Sequence, residues 1–140
     1  AEAWIGATIA AVVLSAPRDN RSLQTAREIL SNPQKIPLLI ELLCESGGMY
    51  ARLGGQLAHF RDKELSSTLT TANRHLRFLD TPAVSASTCR STFDPNRLRD
   101  GKMTIYCILP PEHMHSQAAL MRMWIGSLTR AVVRGGLQNG

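Results

Sequence analysis

Arg74 and Phe78 stand one helical turn apart, Arg77 sits beside them, and Arg52 and His59 project from the patterned stretch just before. These side chains are the ones in the chain best suited to chemistry, and the chemistry they suit is recognition. A guanidinium is a planar fork that grips a carboxylate or phosphate through two hydrogen bonds. An aromatic ring next to it adds an apolar anchor of the sort that dominates binding interfaces. A solvated face of arginines, with Phe78 tucked under the following loop, is the alternative reading of the same residues.

The usual reaction signatures are missing. Gly101-Lys102 is followed by Met103 where a phosphate-binding loop needs Ser or Thr, and Asn96 stands where that loop's first glycine belongs. Neither G-x-S-x-G nor H-E-x-x-H occurs. Asp62 and Glu64 flank a helix start, where negative charge offsets the helix dipole. Cys44, Cys89 and Cys107 are odd in number, widely spaced and without a C-x-x-C pair, which excludes a disulfide framework or a zinc finger and fits a reducing, cytoplasmic setting. His113 and His115 lie near Cys107, but a metal site needs three or four convergent ligands, so they read as surface or capping histidines. The chain is therefore expected to have no catalytic residue, no metal ligand and no cofactor of its own.

Charge supports a binding role. The chain has 140 residues and a net charge of +5. Residues 1–45 hold Arg18, Arg21, Arg27 and Lys35 against Glu2, Asp19, Glu28, Glu41 and Glu45, a net of −1, so residues 46–140 carry +6. Lys35, Lys63 and Lys102 are the only lysines among 16 cations. An arginine-rich excess favours carboxylate, phosphate or interface contacts, with a solvated basic surface as the alternative.

The elements that must hold these residues read mostly as helices. The run from about Ala1 to Ala16 is apolar nearly all round, stops at Pro17, and is too short and too rich in small residues to span a bilayer, which takes about 20 apolar residues. No basic flank or cleavage pattern marks it as a signal peptide, so a buried helix is expected. Ser22 is a good N-cap for the next helix, which Asn32-Pro33 ends. Pro37 belongs in the first turn of a third, closed by Gly47-Gly48. In Met49 to Arg61, Tyr50, Leu53, Leu57 and Phe60 share a side opposite Arg52 and His59, and Gly54-Gly55 predicts a close crossing or a kink. From Glu64 to Leu79, the stripe Leu65, Leu69, Ala72, Leu76 and Leu79 predicts a core face, with Ser67, Thr70, Arg74 and Phe78 opposite.

Beyond Asp80 the composition turns to Pro, Ser and Thr, an ordered connector with one turn at "PNRL". Met103 to Leu109 then alternates like a strand and is stopped by Pro110-Pro111. A last helix, from about Ser116 to Arg134, is apolar on most sides apart from a basic stripe of Arg122, Arg130 and Arg134, and Gly135-Gly136 closes it. Strand and helix together look like one βα unit of a larger sheet.

The segment Arg74 to Gly136 resembles the middle of the type IV secretion coupling proteins, the membrane-anchored ATPases of conjugative DNA transfer. The resemblance rests on the helix exit "FLDTPAV", the loop into "STFDPNRLRDGK", the run "IYCILPPEHM" and the helix "LMRMWIGSLTRAV", in that order and spacing. Ser22 to Phe60 matches more loosely, in pattern rather than motif.

In that family an all-α domain interrupts a P-loop nucleotide-binding domain. The resemblance implies a mainly α chain in three parts: an apolar helix over 1–16 at the edge of the nucleotide-binding domain, the all-α domain over 17–90, and over 91–140 a connector, one short β-strand and a long helix returning to the nucleotide-binding domain. It implies that ATP and magnesium belong to the parent protein's phosphate loop and acidic motif, outside this stretch, and that this stretch does not hydrolyse ATP. It further implies a homohexameric parent at the bacterial inner membrane, with the all-α domain on the cytoplasmic face as a substrate-recruitment surface. Its partners would be relaxase, relaxosome accessory proteins or secreted effector proteins. A DNA-binding module and a structural spacer of the ring are the alternatives, and the chain alone would be a monomer or a dimer. The binding candidates remain Arg52, His59, Arg74, Arg77 and Phe78.

Overall fold

Proline and glycine punctuation marks where the first three helices stop. A computed structural model describes residues 1–134, which are mainly α and fall into two compact units, Ala1–Arg90 and the stretch from Ser91 onward. In the first unit, helix α1 (Glu2–Ser15) runs up to the residue pair before Pro17, and α2 (Leu23–Ser31), α3 (Lys35–Glu45), α4 (Gly48–Ala58) and α5 (Asp62–Leu76) all pack on it. Its buried positions are Trp4, Ala7, Thr8, Ala11 and Val12. The Thr8 hydroxyl is satisfied within the helix by donating to the Trp4 carbonyl at 2.7 Å. Phe60 meets the Trp4 ring edge to face, with centroids 5.8 Å apart. The helix is not covered all round, however: Val13 is 50% exposed, and Ile9 and Leu14 are exposed as well.

Local chemistry places the next elements. The Ser22 hydroxyl accepts the Thr25 amide at 3.2 Å and caps α2. Helix α3 starts two residues before Pro37, which then occupies the first turn, where a missing amide hydrogen is tolerated. Gly47 and Gly48 reverse the chain with φ of 72° and 54°, a left-handed conformation that suits glycine. The expected close crossing is found at Gly54 and not at Gly55. A Cβ at Gly54 would lie 2.8 Å from Cys44 Sγ and 2.9 Å from the Cys44 amide nitrogen on α3, whereas one at Gly55 would meet open space.

The stripe on α5 buries Ala72 and Leu76 and half-buries Leu65 and Leu69. The sequence predicts that this helix continues to Leu79, but it ends at Leu76 and tightens into a 3-10 turn, Arg77–Asp80, in which Leu79 is buried. A spacing of three residues satisfies both geometries, so the pattern did not distinguish them. Helix α6 (Pro82–Thr88) follows, with Pro82 opening it and Val84 buried.

A polar clamp joins these elements. Arg27 on α2 donates from Nε and Nη2 to the two oxygens of Asp80, both at 2.8 Å, and from Nη1 to Asn73 Oδ1. The Asn73 amide donates in turn to the Leu30 carbonyl at 3.1 Å. Gln24 donates to the Leu79 carbonyl at 3.1 Å and to the Thr88 hydroxyl at 2.8 Å. The Arg27 guanidinium holds the Asp80 carboxyl below the usual carboxylate range, with a smaller contribution from Arg77.

The unit from Ser91 onward is sparser. A single turn, α7 (Arg97–Asp100), packs on the long helix α8 (Ala118–Val133), and between them lie an extended run and a 3-10 turn, Pro111–His113. The expected strand at Met103–Leu109 is not formed: among the described residues there is no strand, and no backbone hydrogen bond involves this run. The alternation that suggested it is real, since Met103, Ile105, Cys107 and Leu109 are half-buried while Tyr106 and Ile108 are 80% and 81% exposed. Alternation fixes faces, but a strand exists only as part of a ladder, and among the described residues no partner strand completes one. The expected closure at Gly135-Gly136 lies outside the described residues.

Two measurements test this account. Gly54→Ala should lower stability by about 1–3 kcal/mol through overpacking against α3, while Gly55→Ala should be neutral or stabilising by up to about 1 kcal/mol; urea unfolding of the two variants checks the contrast. Asp80 binds a proton less readily folded than unfolded, so its contribution is complete above the ordinary carboxylate pKa of about 3.9 and is lost as pH falls through its depressed folded value. Asp80→Asn should therefore lower the urea midpoint at neutral pH and flatten its decline below about pH 5.

Candidate functional site

The end of α5 is held in place by what it buries. Leu76 and Leu79 are anchored in the core on either side of the change from α to 3-10 geometry, and the residues between and before them face outward. Arg74 and Arg77 are exposed and Phe78 is half-buried, so five residues of chain bring together two cations and one aromatic side chain.

What keeps those cations available is the clamp behind them. Asp80 is the nearest acid along the chain, but both of its oxygens are taken by Arg27, and Arg77 feels it only as a weaker attraction. Arg74 has no ion-pair or hydrogen-bonding side-chain partner among the described residues. The cluster is a pre-formed, unneutralised basic patch with an apolar centre, suited to gripping an anionic, partly apolar ligand.

Arg52 and His59 are also exposed, Arg52 on the outer side of α4 and His59 at its C-terminal cap. Helix α4 packs on α3 and α1, whereas α5 packs on α2 and α1, and the two share no extended interface. The five candidates therefore form two groups, Arg74, Arg77 and Phe78 in one and Arg52 and His59 in the other.

Sequence reasoning missed Arg27, Asn73, Gln24 and Asp80, which fix the platform beneath the patch. Arg27 and Asp80 lie 53 residues apart, and no local pattern links them. It also missed a polar recess of about 410 Å³ beside α2, whose lining includes Asp19, Arg27 and Cys89.

Gly101 is extended, with φ of −146°, and Lys102 leads into the extended run rather than into a helix, so this pair does not form a cradle for a nucleotide's phosphates. Among the described residues no group of three or more His, Cys, Asp and Glu is placed to hold a metal ion. His113 lies 3.7 Å from Glu112, an exposed local pair. Cys44 and Cys89 are exposed free thiols and Cys107 is half-buried. Among the described residues no helix is long and apolar enough to cross a membrane.

The family model described as type IV secretory system conjugative DNA transfer matches residues 2–137. No curated protein and no solved structure matches. With a match that runs from the start of α1 past the end of α8, the chain belongs to the family of type IV secretory system conjugative DNA transfer proteins.

Proposed function

We propose that the helical unit Ala1–Arg90 is a docking module of a conjugative coupling ATPase, which recruits relaxase, relaxosome accessory proteins or secreted effector proteins. The observation that carries this reading is the patch at the end of α5: Arg74 and Arg77 exposed around a half-buried Phe78, with the neighbouring carboxylate already committed to Arg27. Arg52 and His59 on α4 supply a second contact for a partner large enough to span both groups.

In this reading the module binds and does not catalyse. ATP and magnesium are handled by the nucleotide-binding domain of the coupling protein, which works as a homohexamer at the inner membrane with this unit on the cytoplasmic side. Phe78 supplies the apolar anchor of a protein interface, and because an aromatic among arginines also suits the stacked bases of single-stranded nucleic acid, the salt dependence of capture decides between the two.

Capture of purified relaxosome proteins and of single-stranded DNA at two salt concentrations tests the proposal. The wild-type chain should retain a relaxosome protein with only a gentle loss at higher salt, and Arg74→Glu combined with Phe78→Ala should weaken capture about tenfold or more, since hot-spot truncations cost at least about 2 kcal/mol. Binding of DNA alone, with affinity falling steeply as salt rises, would replace this reading with a nucleic-acid module. Capture of neither ligand would leave a structural spacer.

A further inference from the structure

Helix α8 carries a cationic feature that the docking patch does not use. Arg122, Arg130 and Arg134, with Pro95 and Asn96 at the entry to α7, border a groove of about 550 Å³. At 1.5 Å of rise per residue the three arginines are spread over about 18 Å of helix. Between them the groove is lined by Met123, Gly126, Ser127 and Ala131. A Cβ at Gly126 would meet nothing within 4 Å, so the groove is open over this residue.

Charge decides what kind of ligand fits. No Asp or Glu lines the groove, and Asp100 on α7 is engaged by Arg99 at 3.2 Å. Among the described residues none of the three arginines has an ion-pair partner. The volume falls in the range of ligand sites, about 300–1,000 Å³, and exceeds what a single small anion would fill. Three arginines without ion-pair partners, spaced along one open groove, suit a ligand that carries several separated negative charges.

The lining distinguishes between polyanions. Grooves for single-stranded nucleic acid combine cations with aromatic platforms on which bases stack, and no aromatic side chain lines this one. A peptide with spaced carboxylates and apolar side chains satisfies both the arginines and the surface offered by Met123, Gly126 and Ala131. We propose that the α7–α8 groove docks an acidic, partly apolar peptide segment of a partner protein.

Fluorescence anisotropy with the full chain tests this, using a short labelled peptide of repeated Glu-Glu-Leu, its Lys-Lys-Leu counterpart and an oligothymidylate. The glutamate peptide should bind and the lysine peptide should not. Arg122→Glu with Arg130→Glu should weaken binding about tenfold or more, because each attractive contact with a carboxylate is replaced by a like-charge repulsion. Gly126→Leu, which fills the groove without changing charge and has open space for its side chain, should abolish binding while leaving helix content by circular dichroism unchanged. Arg74→Glu with Phe78→Ala should leave peptide binding intact, which separates this site from the docking patch. The proposal is overturned if the glutamate peptide does not bind, if the oligothymidylate binds more tightly, or if Gly126→Leu leaves peptide affinity unchanged. It is also overturned if the chain dimerises through this face in competition with the peptide.

Discussion

The first unit depends on how closely four helices can approach one. Helix α1 turns Ala7, Thr8 and Ala11 toward its neighbours, so α2 to α5 come near its backbone, and Trp4, the largest side chain that α1 buries, packs edge to face on Phe60 just beyond the end of α4. Tight packing of this sort is unforgiving, because a buried aromatic reduced to a methyl leaves a cavity that costs about 3–5 kcal/mol. Gly54 imposes the same condition one layer out, where α4 crosses α3 with no room for a side chain. Helices this short have little stability of their own and are held by such contacts.

The basic patch follows from that packing. Burial of Leu76 and Leu79 fixes the end of α5, and Arg27, reaching from α2, removes the one carboxylate that could have drawn Arg77 into a local pair. The result is a pair of exposed cations anchored between buried leucines, Arg74 without an ion-pair partner among the described residues and Arg77 only weakly drawn to Asp80. Pre-organisation of this kind lowers the ordering cost of binding, since less freedom remains to be lost when a partner arrives. The same division of labour recurs on α7 and α8, where Arg99 takes Asp100 and the arginines of α8 stay free of acidic neighbours in their groove.

Features governed by neighbours in sequence were legible there. Ser22 capping α2, Pro17 and Pro33 ending helices and Pro37 in a first turn each arise from covalent geometry or a contact within one turn, while the Gly54-Gly55 pair marked a close crossing without telling which glycine makes it. The candidate cations were legible too, as exposed residues opposite a leucine stripe. Features set by distant contacts were not. The Arg27 to Asp80 clamp spans most of the unit, and the end of α5 at Leu76 depends on what Leu79 meets rather than on its spacing. The exposure of Val13 on an apolar helix shows the same limit, since hydrophobicity states a preference and the number of neighbours decides whether it is met.

The run from Met103 to Leu109 illustrates a further point about specificity. Its inward and outward residues alternate, yet no ladder of amide and carbonyl groups ties any of them to a fixed partner. Because the pattern repeats every second residue, sliding the segment by two positions presents the same faces again. Its orientation is thus encoded more strongly than its position, and an incoming strand could engage it in more than one register.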